Sequence, residues 1–397
     1  MTDPTFDLAD EGVPLHVLWS VQDDPPETVD PDPAPVDPEP VSTVSEGTGL
    51  SDSPSALPDQ RAVSASHLGG GDPFGGVRGE LRRSRFQEPS SPAWRRVART
   101  VGLPVEAQSR RSRESADERA LASRWPTPRT VLVASGGRGG AGKTTVSVLL
   151  GAALGNFTGQ VPALLDNNPA GDVDLALDQG SDVPTVEDLV AALPELSKDG
   201  VATSQTESFL SWQPSGRFVA LPARKRAVKV RPDGSVGLAE PTISAAEFGG
   251  VWRLVSRSHP LVVVDSGNNI ADAPFKAALE VADVLVVPIQ WWFEWVDSAV
   301  GMLEDLIDAG HGDLARNAIV VGTAKPGGEA PRRQRQAYSR GFADLGLAEP
   351  LEIPGDPGLG RETPIHWDTL KPETRAAARH LAARVARGFD RTPRPRV

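Results

Sequence analysis

The chain has 397 residues, 39% of them hydrophobic, a formal charge of −12 and no cysteine. Without cysteine it can hold no disulfide, thiolate nucleophile, Cys-ligated zinc or iron–sulfur cluster, a composition compatible with a reducing cytoplasm. No apolar run reaches ~18 residues and no basic start leads into an apolar segment, so neither a membrane span nor a secretory signal is expected.

Residues 1–60 carry fourteen Asp or Glu, eleven Pro and no Lys or Arg. Such a segment repels itself and has little apolar surface to bury, so residues 1–76 read as an acidic, Pro-rich disordered leader. The charge of the whole chain therefore says little about partners. Residues 77–129 reverse the sign, with thirteen Arg against six acids, and 77–128 reads as a basic linker. Within it Trp94, Arg95, Arg96, Val97, Arg99 and Val101 suit a basic amphipathic helix that could lie on an anionic membrane, a partner or DNA phosphates. A solvated basic linker fits the same residues.

From residue 129 to 390 apolar runs alternate with amphipathic stretches, followed by a basic tail at 391–397. Strands are expected at Thr130–Ser135, Val161–Asp166, Arg217–Leu221, Leu261–Asp265, Val284–Ile289, Ala318–Gly322 and Leu351–Ile353. Several are continuous Val/Ile/Leu runs, the pattern of parallel strands covered on both faces. Ser244 with Glu247 forms a capping box, and Gly310 and Gly312 would stop a helix that starts near Phe293. Ala378, Leu381, Ala382, Val385 and Phe389 share one side of a helix at Thr374–Phe389; this mostly alanine face suits packing on a sheet better than anchoring in a membrane. The rhythm predicts an α/β fold with a doubly wound, mostly parallel sheet and a ligand at the strands' carboxyl ends.

The first strand runs into Gly136-Gly137-Arg138-Gly139-Gly140-Ala141-Gly142-Lys143-Thr144-Thr145 and then into an apolar helix. Gly137-x4-Gly142-Lys143-Thr144 is a phosphate-loop pattern in its proper context of strand, turn and helix. Glycines let consecutive N–H groups curl around a polyphosphate, and the helix turns its positive end toward the same anion. Lys143 would reach the β- and γ-phosphates and Thr144 would ligate Mg²⁺. The bland alternative is a glycine-rich turn that binds nothing. Later in the chain Asp265 ends a Val-rich strand, where a carboxylate can hold Mg²⁺ through water.

Shifted by one residue, Arg138-Gly139-Gly140-Ala141-Gly142-Lys143-Thr144-Thr145 resembles the deviant phosphate loop of the ParA/MinD family of ATPases, within the SIMIBI type of P-loop NTPases. The resemblance covers roughly residues 129–390. LLDNNP at Leu164–Pro169 sits where that family has its switch I Asp-x-Asp-Pro, LVVVDSGNN at Leu261–Asn269 sits at its Walker B strand, and VADVLVVPIQ at Val281–Gln290 resembles the strand that follows. More narrowly, SPAWRRVARTVGL at Ser91–Leu103 looks like an actinobacterial subgroup of MinD-like proteins with Pro-rich leaders, some associated with type VII secretion.

The resemblance implies ATP and Mg²⁺ as ligands and two protomers that sandwich two ATP molecules, with Arg138 standing where the family's lysine reaches the partner's phosphates. Arginine keeps the charge but presents a larger fork, so the sandwich should be altered rather than necessarily abolished; an arginine facing solvent is the alternative. The acid credited with positioning the attacking water is replaced by Asn168 in Asp166-Asn167-Asn168-Pro169. An amide cannot take up a proton but can orient water, so slow, partner-stimulated hydrolysis is expected, with Asp166 and Asp172 as substitutes. Gly322-Thr323-Ala324-Lys325-Pro326-Gly327 lacks the acid of a guanine-reading motif, which favours adenine. By resemblance Thr323, Pro354 and Asp356 lie near the base, although a polar turn explains them equally.

Trp291, Trp292 and Trp295 follow the strand that leads out of the site. Burial in the core and a protein-partner surface are the two readings, and residues adjacent in sequence cannot all face one way. Two functions follow: an ATP-driven switch that closes as a homodimer to position, partition or transport a cargo, or a barely hydrolysing scaffold or secretion adaptor. The first would place the protein in the cytoplasm, at the periphery of nucleoid or membrane. Cysteine-dependent relatives and tyrosine kinases with Tyr-rich tails are disfavoured, since the chain has no Cys and only Tyr338.

Overall fold

The structure, a computed structural model, describes residues 105–136, 139–168, 173–178, 183–223, 228–230, 236–238, 243–267, 269–324, 330–360 and 364–391. The acidic leader, the Trp94–Val101 segment, Gly137, Arg138, Pro169, Asp172, Lys325 and the basic tail from 392 lie outside the described residues.

The strands are β1 Arg129–Val133, β2 Ala163–Asn167, β3 Ser211–Gln213, β4 Phe218–Leu221, β5 Val228–Val230, β6 Val236–Leu238, β7 Leu261–Ser266, β8 Val284–Gln290, β9 Ile319–Thr323 and β10 Leu351–Ile353. The helices are α1 Val105–Leu121, α2 Lys143–Thr158, α3 Val173–Ala176, α4 Val186–Leu196, α5 Thr203–Glu207, α6 Ala245–Val255, α7 Ala273–Val281, α8 Phe293–Asp308, α9 Gly312–Arg316, α10 Arg332–Asp344 and α11 Pro372–Phe389.

Eight strands form one sheet in the order β10-β9-β8-β1-β7-β2-β4-β3. All neighbours run parallel except β3, which pairs antiparallel with β4 at the edge. Because side chains alternate across a strand, Leu132, Val262 and Val264 join one buried cluster while Val131, Val133 and Val263 join the other. That two-sided burial is why these strands read as unbroken apolar runs. Helices α4, α6, α7, α8 and α10 cover the first face; α2 and α11 cover the second. Asp283 fixes the start of β1, accepting from Thr130 N at 2.8 Å and Arg129 at 3.1 Å.

All seven strands expected from the sequence are present, with ends shifted by up to two residues. The Ser244/Glu247 capping box forms, and Gly310 (φ 93°) follows the end of α8. Ala378, Leu381, Ala382, Val385 and Phe389 are fully buried on the sheet. Strand β3 and the small β5–β6 ribbon were not legible in the sequence, being only three residues long each. The segment read as a linker up to residue 128 contributes α1, which lies on α11. Asp117 accepts from Arg387 at 3.0 Å and pairs with His380 Nδ1 at 2.6 Å, while Arg379 donates to Glu118 at 2.9 Å.

Candidate functional site

The loop between β1 and α2 lies at the centre of the sheet, where the chain crosses from β1 to β2 on one side and later to β8 on the other. Such a switch point opens a crevice at the carboxyl ends of the strands. Gly140 and Gly142 have φ of 83° and 86°, a left-handed conformation that side chains rarely adopt. A Cβ on Gly142 would also lie 3.0 Å from the Thr323 methyl. Two tethers hold the loop from behind: Gln290 donates through Nε2 to Gly140 O, and Thr323 Oγ1 donates to Ala141 O at 3.0 Å. Gly139 is exposed and faces open space, and Ala141 is buried.

Lys143, the first residue of α2, is buried, and its Nζ donates to Ser135 Oγ at 3.4 Å. Burial lowers its pKa, opposed by Asp265 and Asp166. Asp265 lies across from Val133 of β1 and Asp166 of β2. Thr144 Oγ1 donates to Asp265 Oδ2 at 2.8 Å and Ser147 Oγ to Oδ1 at 3.1 Å. Burial pushes the Asp265 carboxyl up to about 6, against the pull of Lys143 and both hydroxyls. Asp166 is pushed well above the usual range, first by burial and then by Asp265, although the N–H groups of Asn168 and Ala223 donate to it.

Asn168 is buried beside Gly267, where a Cβ would lie 3.8 Å from Asn168 Oδ1. Thr145 sits half-buried in the first turn of α2. Lys143, Thr144, Asp166, Asn168 and Asp265 therefore converge, whereas Asp356 is occupied elsewhere. Its carboxylate accepts from Gly358 N at 2.9 Å and Lys371 N at 2.8 Å, tying a turn to the start of α11. Thr323 and Pro354 line a separate cavity at the ends of β9 and β10.

Trp291 is core: its indole fills the space in front of Gly322, where a Cβ would lie 2.2 Å from Nε1. Trp292 and Trp295 are half-buried. Among the described residues the exposed large apolar side chains are Phe157, Val161 and Trp212. Sequence reasoning missed Ser135, Ser147 and Gln290. Only Ser147 carried a signal, lying one helical turn beyond Thr144 on the same face.

A central strand, a glycine loop and a helix whose first residue is a buried lysine, set in a doubly wound parallel sheet, define the class as the P-loop nucleotide-binding architecture. No known family profile matches the chain, and no curated protein does. Among solved structures, the ParA family ATPase from Chlorobium tepidum is similar with a TM-score of 0.50 at 15% identity, over 64% of this chain and 98% of that one. The particular fold is thus that of a ParA family ATPase. The MinD cell division protein of Aquifex aeolicus matches with a TM-score of 0.46 at 19% identity, over 67% of this chain and 98% of its own. An ATP complex of a McdA variant from Cyanothece matches with a TM-score of 0.44 at 16% identity, over 66% of this chain and 97% of that one.

Proposed function

We propose that the chain is an ATP-binding molecular switch of the ParA/MinD kind, a slow ATPase that closes as a homodimer and serves to position, partition or transport a cargo. The observation that carries this reading is the buried Lys143 above a left-handed glycine turn, with Thr144 hydrogen-bonded to the Asp265 carboxylate. These residues fit a magnesium-bound polyphosphate. Gly139, Gly140 and Gly142 leave the loop backbone open to an anion, Lys143 supplies a buried positive charge, and Thr144 and Asp265 supply oxygen ligands. Magnesium would supply charge neutralisation at the phosphates.

Within this reading Lys143 binds and orients the phosphates. Thr144 and Asp265 would hold the metal, and Ser147 keeps the carboxylate turned toward Thr144. Asn168, in the short segment after β2, orients water without accepting its proton, and so slows turnover. Asp166 is the neighbouring carboxylate able to hold a proton, since burial already raises its pKa. Arg138 would act across the dimer, and the Arg-rich linker at 77–128 and the face around Trp295 would serve partners.

Calorimetric titration of the full chain with MgATP tests the site. Lys143→Ala is expected to weaken binding at least ~100-fold, the loss of a charge-assisted phosphate contact. Asn168→Asp is expected to raise turnover while leaving affinity nearly unchanged. Undiminished ATP affinity in Lys143→Ala would sink the reading.

A further inference from the structure

At the amino ends of β1 and β8, the end of the sheet opposite the phosphate loop, the described residues form an open cavity of about 330 Å³. Leu279 and Ala282 around the end of α7 and Leu314 of α9 give it an apolar wall, and Asp283 and Asp313 bring carboxylates to it. Asp283 is committed to Thr130 N and Arg129. Asp313 is exposed and meets Arg316 at 3.2 Å, a contact between exposed groups that holds little energy.

The surroundings are more acidic than these two residues alone. Residues 277–315 contain eight Asp or Glu and no Lys or Arg. Helix α8 ends there, with Gly310 lining the cavity. Its last turn carries no basic residue, and Asp305 and Asp308 sit where the final carbonyls already gather negative charge. Such a helix end favours a nearby cation.

The chain itself carries one to this end of the sheet. The last turn of α11 packs on the start of β8: a Cβ on Gly388 would lie 2.6 Å from a Val284 methyl, and Val284 directly follows Asp283. After Arg391 the sequence continues Thr392-Pro393-Arg394-Pro395-Arg396-Val397. Six residues can span about 20 Å, roughly twice the spacing between packed layers. They can therefore pass beneath β8 from the face covered by α11 to the face covered by α7 and α8. Staying beside α11 is disfavoured, because Arg384 already feels the charges of Arg387 and Arg391. Pro393 and Pro395 restrict φ, so less freedom is lost when the segment is held.

We infer that residues 392–397 seat in this cavity, with proline rings against Leu279, Ala282 and Leu314 and with Arg394 and Arg396 facing Asp313 and the carboxyl end of α8. The segment then acts as a strap that ties α11 to the layer on the other side of the sheet. The assignment does not depend on the nucleotide reading, since none of these residues touches the phosphate loop.

Because the chain has no cysteine, an introduced pair reports proximity without background. In the full chain, Leu314→Cys combined with Val397→Cys is expected to form an intramolecular disulfide under mild oxidant at low protein concentration. The control pair, Ser208→Cys with Val397→Cys, places the first thiol on an exposed residue after α5 and is expected to cross-link far less. One charge at a helix carboxyl end is worth about two- to fivefold, so adding Arg394→Glu and Arg396→Glu is expected to lower the Leu314 cross-link about tenfold. Molar salt, which shortens the screening length to ~3 Å, should lower it as well. Thermal melting of each reduced variant checks that the fold is kept, and Ala282→Cys in place of Leu314→Cys serves if that variant melts early. Equal cross-linking of the Leu314 and Ser208 pairs would overturn the inference, as would a cross-link that charge reversal leaves unchanged or one that forms only between chains.

Discussion

Asp265 shows how one buried carboxylate links stability to ligand binding. It has no exposed surface, and burial pushes it up to about 6 despite Lys143, Thr144 and Ser147. The unfolded chain releases that proton near the ordinary value of ~3.9. Between these values the folded state binds more protons than the unfolded state, so stability present below about 4 is lost as pH rises through about 6. The gap corresponds to about 3 kcal/mol, and Asp166, also raised, acts in the same direction. The ligand-free Asp265→Asn variant should thus match the parent in stability near pH 4 and exceed it increasingly up to pH 7, as measured by denaturant unfolding. A gap independent of pH would show that Asp265 is ionised throughout. At this scale Lys143, Thr144 and Asp265 were legible because their types and chain order carry the chemistry. Ser135 and Gln290 were not, because a lone Ser or Gln at a strand end looks like any other polar boundary.

Among the elements, α1 was the least legible. Its sequence is rich in arginine and acid, with little apolar periodicity, and suggests a solvated linker. What holds it is a partner distant in sequence: Asp117 is buried between His380 and Arg387. Leu121 at its end and Trp125 just beyond it enter the core, with Trp125 edge-on to Phe389 at 5.2 Å. A fragment starting at residue 105 should melt as the full chain does. One starting at 129 loses two buried side chains worth about 1.5–3 kcal/mol each and should be less stable by about 3–6 kcal/mol. Equal melting of the two fragments would show that α1 adds nothing to the fold. The helix α11, by contrast, could be read directly, since its buried residues recur at helical spacing and most are too small to serve as a membrane anchor. Among the described residues no helix is long and apolar enough to cross a membrane.

For the whole molecule, the proposed switch depends on nucleotide favouring one state over another, and it can shift that balance only by its differential affinity for the two. Light scattering on the full chain should show a dimer with ATP or a non-hydrolysable analogue and a monomer with ADP; a monomer in all three conditions favours the scaffold reading. The sequence by itself determined the parallel strands, the glycine turn after β1 and the lysine that opens α2, since each depends on backbone geometry and side-chain spacing within a few neighbouring residues. Only the tertiary structure decided that β3 closes the sheet antiparallel, that Gln290 and Thr323 brace the loop, and that Trp291 is buried while Trp292 stays half-buried. Those outcomes depend on which strands become neighbours and in what register, and the loop tethers join residues more than a hundred positions apart, which leave no mark in local spacing.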